Sequence, residues 1–365
     1  MSKIYTCEQV SRGHVDKICD QIADAIVTDC LQHDKNSRVA VECLMKGNTI
    51  VIAGEITSIH EPDYAALVHA VLCRIGLDGI YDRINVRTLI TKQSADIALG
   101  VDKGGAGDQG IMYGYATNET PEMLPIPFAV ATRFIHLLEE TRNPMLLPDA
   151  KAQVSFDYDA GRITTFLCSV QHTEDSEVSD FRPFIESLML VAAGEYGLNS
   201  DFEKLINPTG RFVIGGSQAD TGVTGRKLAC DTYGGIGHIG GGALSGKDPT
   251  KVDRSAAYMA RKIAGDLVTA GYCGRCEIQI AYAIGKAEPV SVVADTFGTS
   301  NVCPGCIDRY IRENYDLTPA GIIKYLHLLE VNYNEVSSGG HFGAKAVPWE
   351  LDDECADALF GEENE

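Results

Sequence analysis

No apolar run in the chain approaches the roughly 18 to 20 residues that cross a bilayer. The opening Met1-Ser2-Lys3-Ile4-Tyr5-Thr6-Cys7-Glu8 has no apolar core of the kind that directs secretion, so a cytoplasmic address is expected. Basic residues are also scarce: 31 Lys and Arg face 51 Asp and Glu, a formal net charge of −20. Such a surface repels nucleic acid and anionic lipid in bulk, so neither is an expected partner, although a local basic pocket remains compatible with it. With 45% hydrophobic and 22% charged residues, disorder and collagen-like repeats are excluded.

What is present points to a folded, multi-domain chain. At 365 residues it exceeds what one core usually serves. Twelve cysteines in a long cytoplasmic protein read mostly as buried thiols. Ile18, Ile22, Ile26 and Leu31 predict an amphipathic helix over 14–33, with His14 and Asp16 at its mouth. A β-hairpin follows around Lys46-Gly47-Asn48, then a helix opened by Pro62. The patch Gly104 to Gly110 reads as a flexible connection. Beyond it the pattern predicts a helix near 127–138, strands near 152–158 and 162–170, and a helix near 181–193. A helix near 254–270 and a hairpin over about 277–297 come last. The element order predicts an α+β fold of three similar units, each a mostly antiparallel sheet covered by helices on one face. The expected domains are 1–101, 102–213 and 214–365. The acidic tail from Asp352 reads as a solvated end.

Arg211 to Arg254 differs from the rest. It holds eleven glycines and six basic residues against four acids, a local balance of +2. Glycine lets backbone approach a ligand, so this is where a polyphosphate is expected, solvated surface loops being the alternative. Two familiar patterns do not carry their usual meaning. Gly241 to Lys247 has Walker spacing, but Asp248 replaces the magnesium-binding Ser or Thr; Gly105 to Gly110 has dinucleotide spacing but follows a loop.

Read together, five segments resemble the S-adenosylmethionine synthetase family: Ser11-Arg12-Gly13-His14-Val15-Asp16-Lys17, Gly105-Ala106-Gly107-Asp108-Gln109-Gly110, Asn207-Pro208-Thr209-Gly210-Arg211-Phe212, Thr224-Gly225-Arg226-Lys227, and Gly240 to Pro249. The resemblance covers about Tyr5 to Trp349. It implies three units in pseudo-threefold arrangement, ATP and L-methionine as substrates, two Mg2+ and a K+ as cofactors, and a homodimer with shared sites that pairs into a tetramer. It implies that His14 donates to the leaving triphosphate, and that Lys151, Arg226, Lys227 and Lys247 hold it. Asp16 and Asp253 then bind Mg2+, and Glu42 binds K+. Glu55, Gln93, Asp108, Asp220 and Lys251 surround methionine, while Phe212 stacks on adenine and Asp149 binds ribose. Standing alone, His14 reads as a helix cap, Asp16 as a helix-start acid and Phe212 as core.

The chain departs from the family at several places. Val15 and Arg12 replace a proline and a glutamate, the loop Gly100 to Gly104 is short, His238 stands one place early, and Leu244 replaces a phenylalanine. Two C-x-x-C pairs, Cys273/Cys276 and Cys303/Cys306, read either as a zinc or disulfide site where four sulfurs meet or as buried free thiols. Besides an active transferase, the sequence admits a non-catalytic regulatory subunit and a phosphotransferase using the Gly241 to Lys247 loop.

Overall fold

The computed structural model describes residues 3–77, 79, 83–92, 105–343 and 346–353. The strands are β1 (Ile4–Val10), β2 (Arg38–Lys46), β3 (Thr49–Thr57), β4 (Asn85–Thr91), β5 (Gly110–Thr117), β6 (Leu146–Asp157), β7 (Arg162–His172), β8 (Glu203–Ile206), β9 (Gly222–Val223), β10 (Arg275–Tyr282) and β11 (Ser291–Asp295). The helices are α1 (Val15–His33), α2 (Tyr64–Ile75), α3 (Ile126–Glu140), α4 (Val178–Glu195), α5 (Gly216–Ala219), α6 (Leu228–Asp231), α7 (Val252–Thr269), α8 (Pro304–Asn314) and α9 (Pro319–Tyr325).

The three sheets obey one rule. Their strand orders are β9-β2-β3-β4, β1-β6-β7-β8 and β5-β10-β11. Each contains a hairpin, and each hairpin is extended by a strand from another part of the chain. The strand that precedes α1 joins the second sheet, the one before α3 joins the third, and the one before α7 joins the first. The exchange is cyclic, which is the expected threefold arrangement expressed as topology. α1, α3 and α7 each pack on the hairpin and the donated strand of their own sheet. Two sheets add a fourth, parallel strand after a crossover helix, α2 or α4, as parallel pairing requires. After β11 the chain turns helical instead.

Local chemistry accounts for the elements. β2 and β3 pair from Arg38↔Thr57 to Lys46↔Thr49 around a Gly47 at φ +55, matching the expected hairpin. Pro62 stands just outside α2, whose cap is Asp63, its side chain accepting the Ala66 amide at 3.0 Å. Among the described residues, apolar side chains form two cores. One joins α1, α7 and their sheets, with Ile18, Ile22, Ile26, Leu267 and Ile278; the other lies beneath α3 and α4, with Phe134, Phe166 and Phe181. Eight of the cysteines are buried thiols, as expected. No helix among the described residues is long and apolar enough to cross a membrane.

β5 lies unusually close to α7. A Cβ at Gly114 falls 2.0 Å from the carbonyl carbon of Ala260, a backbone atom that cannot swing aside. Gly114→Ala is therefore expected to lower stability by about 2 kcal/mol or more. An unchanged denaturant midpoint contradicts that packing.

Candidate active site

α1 begins at His14, whose Nδ1 accepts the Asp16 amide at 3.2 Å. Acidic residues then recur every fourth position, Asp16, Asp20 and Asp24, and so share one face. Amphipathic patterning predicts that face in water; the structure buries all three to within 1% exposure. Each carboxylate accepts one backbone amide from the glycine-rich segment and hydrogen-bonds one cationic side chain, with the Arg226 guanidinium also 3.8 Å from Asp16. Asp16 accepts from Val223 at 2.9 Å and from Lys227 at 2.7 Å. Asp20 accepts from Gly225 at 2.8 Å and from Lys17 at 2.9 Å. Asp24 accepts from Gly246 at 2.9 Å and from the Arg254 guanidinium. Hydrogen bonds to charged groups contribute about 1.5–3 kcal/mol each, so the ladder anchors loops that lack a ladder of their own. Gly246 is required where it stands: φ is +84°, and a Cβ there falls 2.0 Å from the Val41 carbonyl oxygen.

This arrangement sets the local electrostatics. Burial lowers the His14 pKa to about 4, with the Lys227 and Lys151 charges acting the same way against Asp16 and Asp220. Burial works against the Asp16 carboxylate, but its bonds to Lys227 and the Val223 amide outweigh that and hold its pKa below the usual value. Burial and the nearby Asp231 push Asp20 up to about 7. Asp149 is raised by burial while accepting the Gly216 amide at 2.8 Å.

The expected site residues fall into three groups. His14, Asp16, Asp149, Lys151, Asp220, Arg226 and Lys227 lie in one electrostatic cluster. Lys247 pairs with Asp253, and Lys251 with Asp248 at 2.5 Å, at the mouth of α7. The third group is a sheet face. Ala40 on β2 bridges both Glu55 and Lys247, so these side chains share a face, and Glu42, two positions on, points the same way. Glu42 and Glu55 are exposed there, beside Leu44 at 42% and Leu89 at 66% exposure. Asp108 is exposed, its Oδ1 accepting the Gln109 amide. Phe212 is half-buried, with its backbone held at both ends by His172. Gln93 and the short loop at Gly100 lie outside the described residues. Arg12, despite replacing the family glutamate, keeps its segment in place through Glu139 and Gln21.

Three expectations change. The patch before β5 is no loose connection: Gly105 and Ala106 are buried, and Ala106 exchanges backbone hydrogen bonds with the turn at 285–286. The four C-x-x-C sulfurs do not converge. Cys303 and Cys306 form a disulfide at the start of α8, while Cys273 and Cys276 are buried thiols. The Gly241 to Lys247 loop does not open directly into a helix: Asp248 closes a turn by accepting from Val39, Thr250 and Lys251 before α7 begins at Val252, which removes support for the phosphotransferase reading. Sequence reasoning missed Lys17, Asp20, Asp24 and Arg254 as organisers of the site. The four-residue spacing of the aspartates was the available signal.

Cationic side chains paired with carboxylates, beside glycine-rich backbone clamped to α1, form an arrangement suited to a polyphosphate. The comparisons name the family. Residues 2–95, 103–212 and 214–351 match the models of the S-adenosylmethionine synthetase N-terminal, central and C-terminal domains. The S-adenosylmethionine synthase of Mesoplasma florum is 47% identical over 367 aligned positions, covering 96% of this chain and 97% of that protein. Those of Mycoplasma capricolum and Mycoplasma mycoides are each 46% identical over 366, covering 95% of this chain and 94% of theirs. The chain belongs to the S-adenosylmethionine synthetase family.

His14 is expected to stay neutral down to about pH 4. Because its folded pKa lies below the ordinary 6.5, its share of stability is complete above about 6.5 and is lost as pH falls towards 4. Lys227→Ala should raise this pKa. Imidazole NMR titration reads it directly, and a wild-type midpoint near 6.5 contradicts the burial argument.

Proposed function

We propose that these residues carry the reaction of the family, in which ATP and L-methionine give S-adenosylmethionine with release of phosphate and diphosphate. A thioether sulfur has no proton to lose, so its attack on C5′ of ATP needs no general base. The barrier falls through alignment and through stabilisation of the departing triphosphate.

One observation carries the reading. His14 is neutral, and because its Nδ1 accepts the Asp16 amide, its proton sits on Nε2. That Nε2–H is free to donate to the leaving oxygen without repelling the neighbouring lysines. Lys227 and Lys247 are paired with Asp16 and Asp253. These pairs are suited to an exchange of partners when nucleotide arrives. The lysines, with Lys151 and Arg226, turn to the phosphoryl oxygens, and the carboxylates are left for cations.

The donor chemistry fits hard divalent ions, since Asp16 and Asp253 offer carboxylate oxygens beside a phosphate site. They would hold two Mg2+, which supply charge stabilisation on the triphosphate. Glu42 would hold K+. Asp149 and Phe212 take ribose and adenine; Glu55, Gln93, Asp108, Asp220 and Lys251 take methionine. The retained metal and phosphate set favours catalysis over a regulatory subunit. The active protein is a cytoplasmic homodimer, paired into a tetramer. The exposed face bearing Leu44, Leu89, Glu42 and Glu55 is the surface for a second copy, which would bring each half-site to its complement.

Lys247→Ala should lower turnover at least a hundredfold, by about 2.7 kcal/mol of transition-state stabilisation, with circular dichroism unchanged. Chromatography of the sulfonium and phosphate products measures it, and an unaffected rate removes Lys247 from the site. Native mass spectrometry should find activity only in dimers or larger species; a fully active monomer overturns the shared-site reading.

A further inference from the structure

The far end of α1 carries a second cluster that the reaction does not use. Asp29 and His33 stand one turn apart, and His60 reaches them from the loop after β3. His60 Nε2 lies 2.7 Å from Asp29 Oδ2, and His33 Nδ1 lies 3.6 Å from Asp29 Oδ1. The two imidazoles stack, centroids 3.9 Å apart and planes 12° from parallel. One ligand atom from each of the three residues lies within 4.8 Å of the others, and no other such group occurs among the described residues.

We propose that Asp29, His33 and His60 bind one divalent transition-metal ion of the zinc, nickel or cobalt type. Two imidazoles and one carboxylate suit these ions, whereas Mg2+ prefers oxygen donors throughout. The site is separate from the catalytic cations: Asp29 lies thirteen positions beyond Asp16, about 20 Å along the helix.

The surroundings are organised as metal ligands require. His33 Nδ1 lies 2.8 Å from the Asp29 backbone oxygen, a contact that holds the ring beside the Asp29 carboxylate. The loop that presents His60 is pinned to the end of α1. Asp34 accepts from the Ile59 amide at 3.0 Å and from the Ser58 hydroxyl at 3.3 Å, and Ser58 Oγ accepts the His60 amide at 3.1 Å. On binding, the ion replaces the His60–Asp29 hydrogen bond, the two rings tilt out of their stack so that a lone pair of each points at the ion, and His60 takes the Nδ1–H tautomer so that Nε2 can ligate. Three protein ligands leave the remaining positions to water, which makes the site a staple between α1 and the β3–α2 loop.

Chelator-stripped protein, dialysed against Zn2+ and separately against Ni2+, tests this. Wild type should bind one equivalent of Ni2+, and of Zn2+ at this site, at micromolar free metal, and its thermal midpoint should rise. His33→Ala and His60→Ala should each weaken binding at least tenfold and abolish the thermal shift. Cys273→Ser should leave the Ni2+ site untouched, which separates it from thiol binding. Should His60→Ala unfold, His60→Gln gives the same comparison. No saturable binding below about 100 µM metal, or binding unchanged in both histidine variants, overturns the proposal.

Discussion

Three carboxylates on one side of a buried helix hold the glycine-rich segment in place, and the site depends on that attachment. Loops with eleven glycines in 44 residues have large conformational freedom and few side chains with which to restrain it. Asp16, Asp20 and Asp24 restrain them by taking their amides. The charges that burial makes costly are opposed by Lys227, Lys17 and Arg254, with Lys17 shared between Asp20 and Asp231. Arg254 lies over the Tyr333 ring, 4.3 Å from its centroid, so the innermost cation is also shielded from water.

The helix that performs this clamping belongs to the first sheet, and the loops it holds precede the helix of the third. Cyclic strand exchange makes that neighbourhood permanent: β9, at the start of the loops, is itself a strand of the first sheet, pairing Leu44 with Val223. The Gly246 to Asp248 stretch continues along the same edge through Val41, Ala40 and Val39. A lysine at 247 is thereby placed on a sheet face by backbone pairing, whereas His14 holds the mouth of α1 through its own side-chain cap.

Much of this was legible beforehand, where signals are local. The isoleucine spacing located α1, Lys46-Gly47-Asn48 located the first hairpin, and the residues around His14, Arg226 and Lys247 marked the candidate site. What was not legible was long-range. The polar face of α1 reads as solvated because its partners lie more than 200 residues away. β9 has two residues and no periodicity to betray it. The glycines before β5 suggest looseness, yet Ala106 is fixed by a turn about 180 residues later. Cys303 and Cys306 close on each other because the C-x-x-C spacing makes them near neighbours at a helix start, whereas Cys273 and Cys276 are held in the sheet.

Native-state hydrogen exchange of the Val223, Gly225 and Gly246 amides tests the carboxylate ladder most directly. Held as described, all three exchange only with global opening, at protection matching the core strands, despite lying in loops. Exchange at the rate of an open loop, in folded protein at neutral pH, would show that α1 does not hold the segment and that the site is organised by something else.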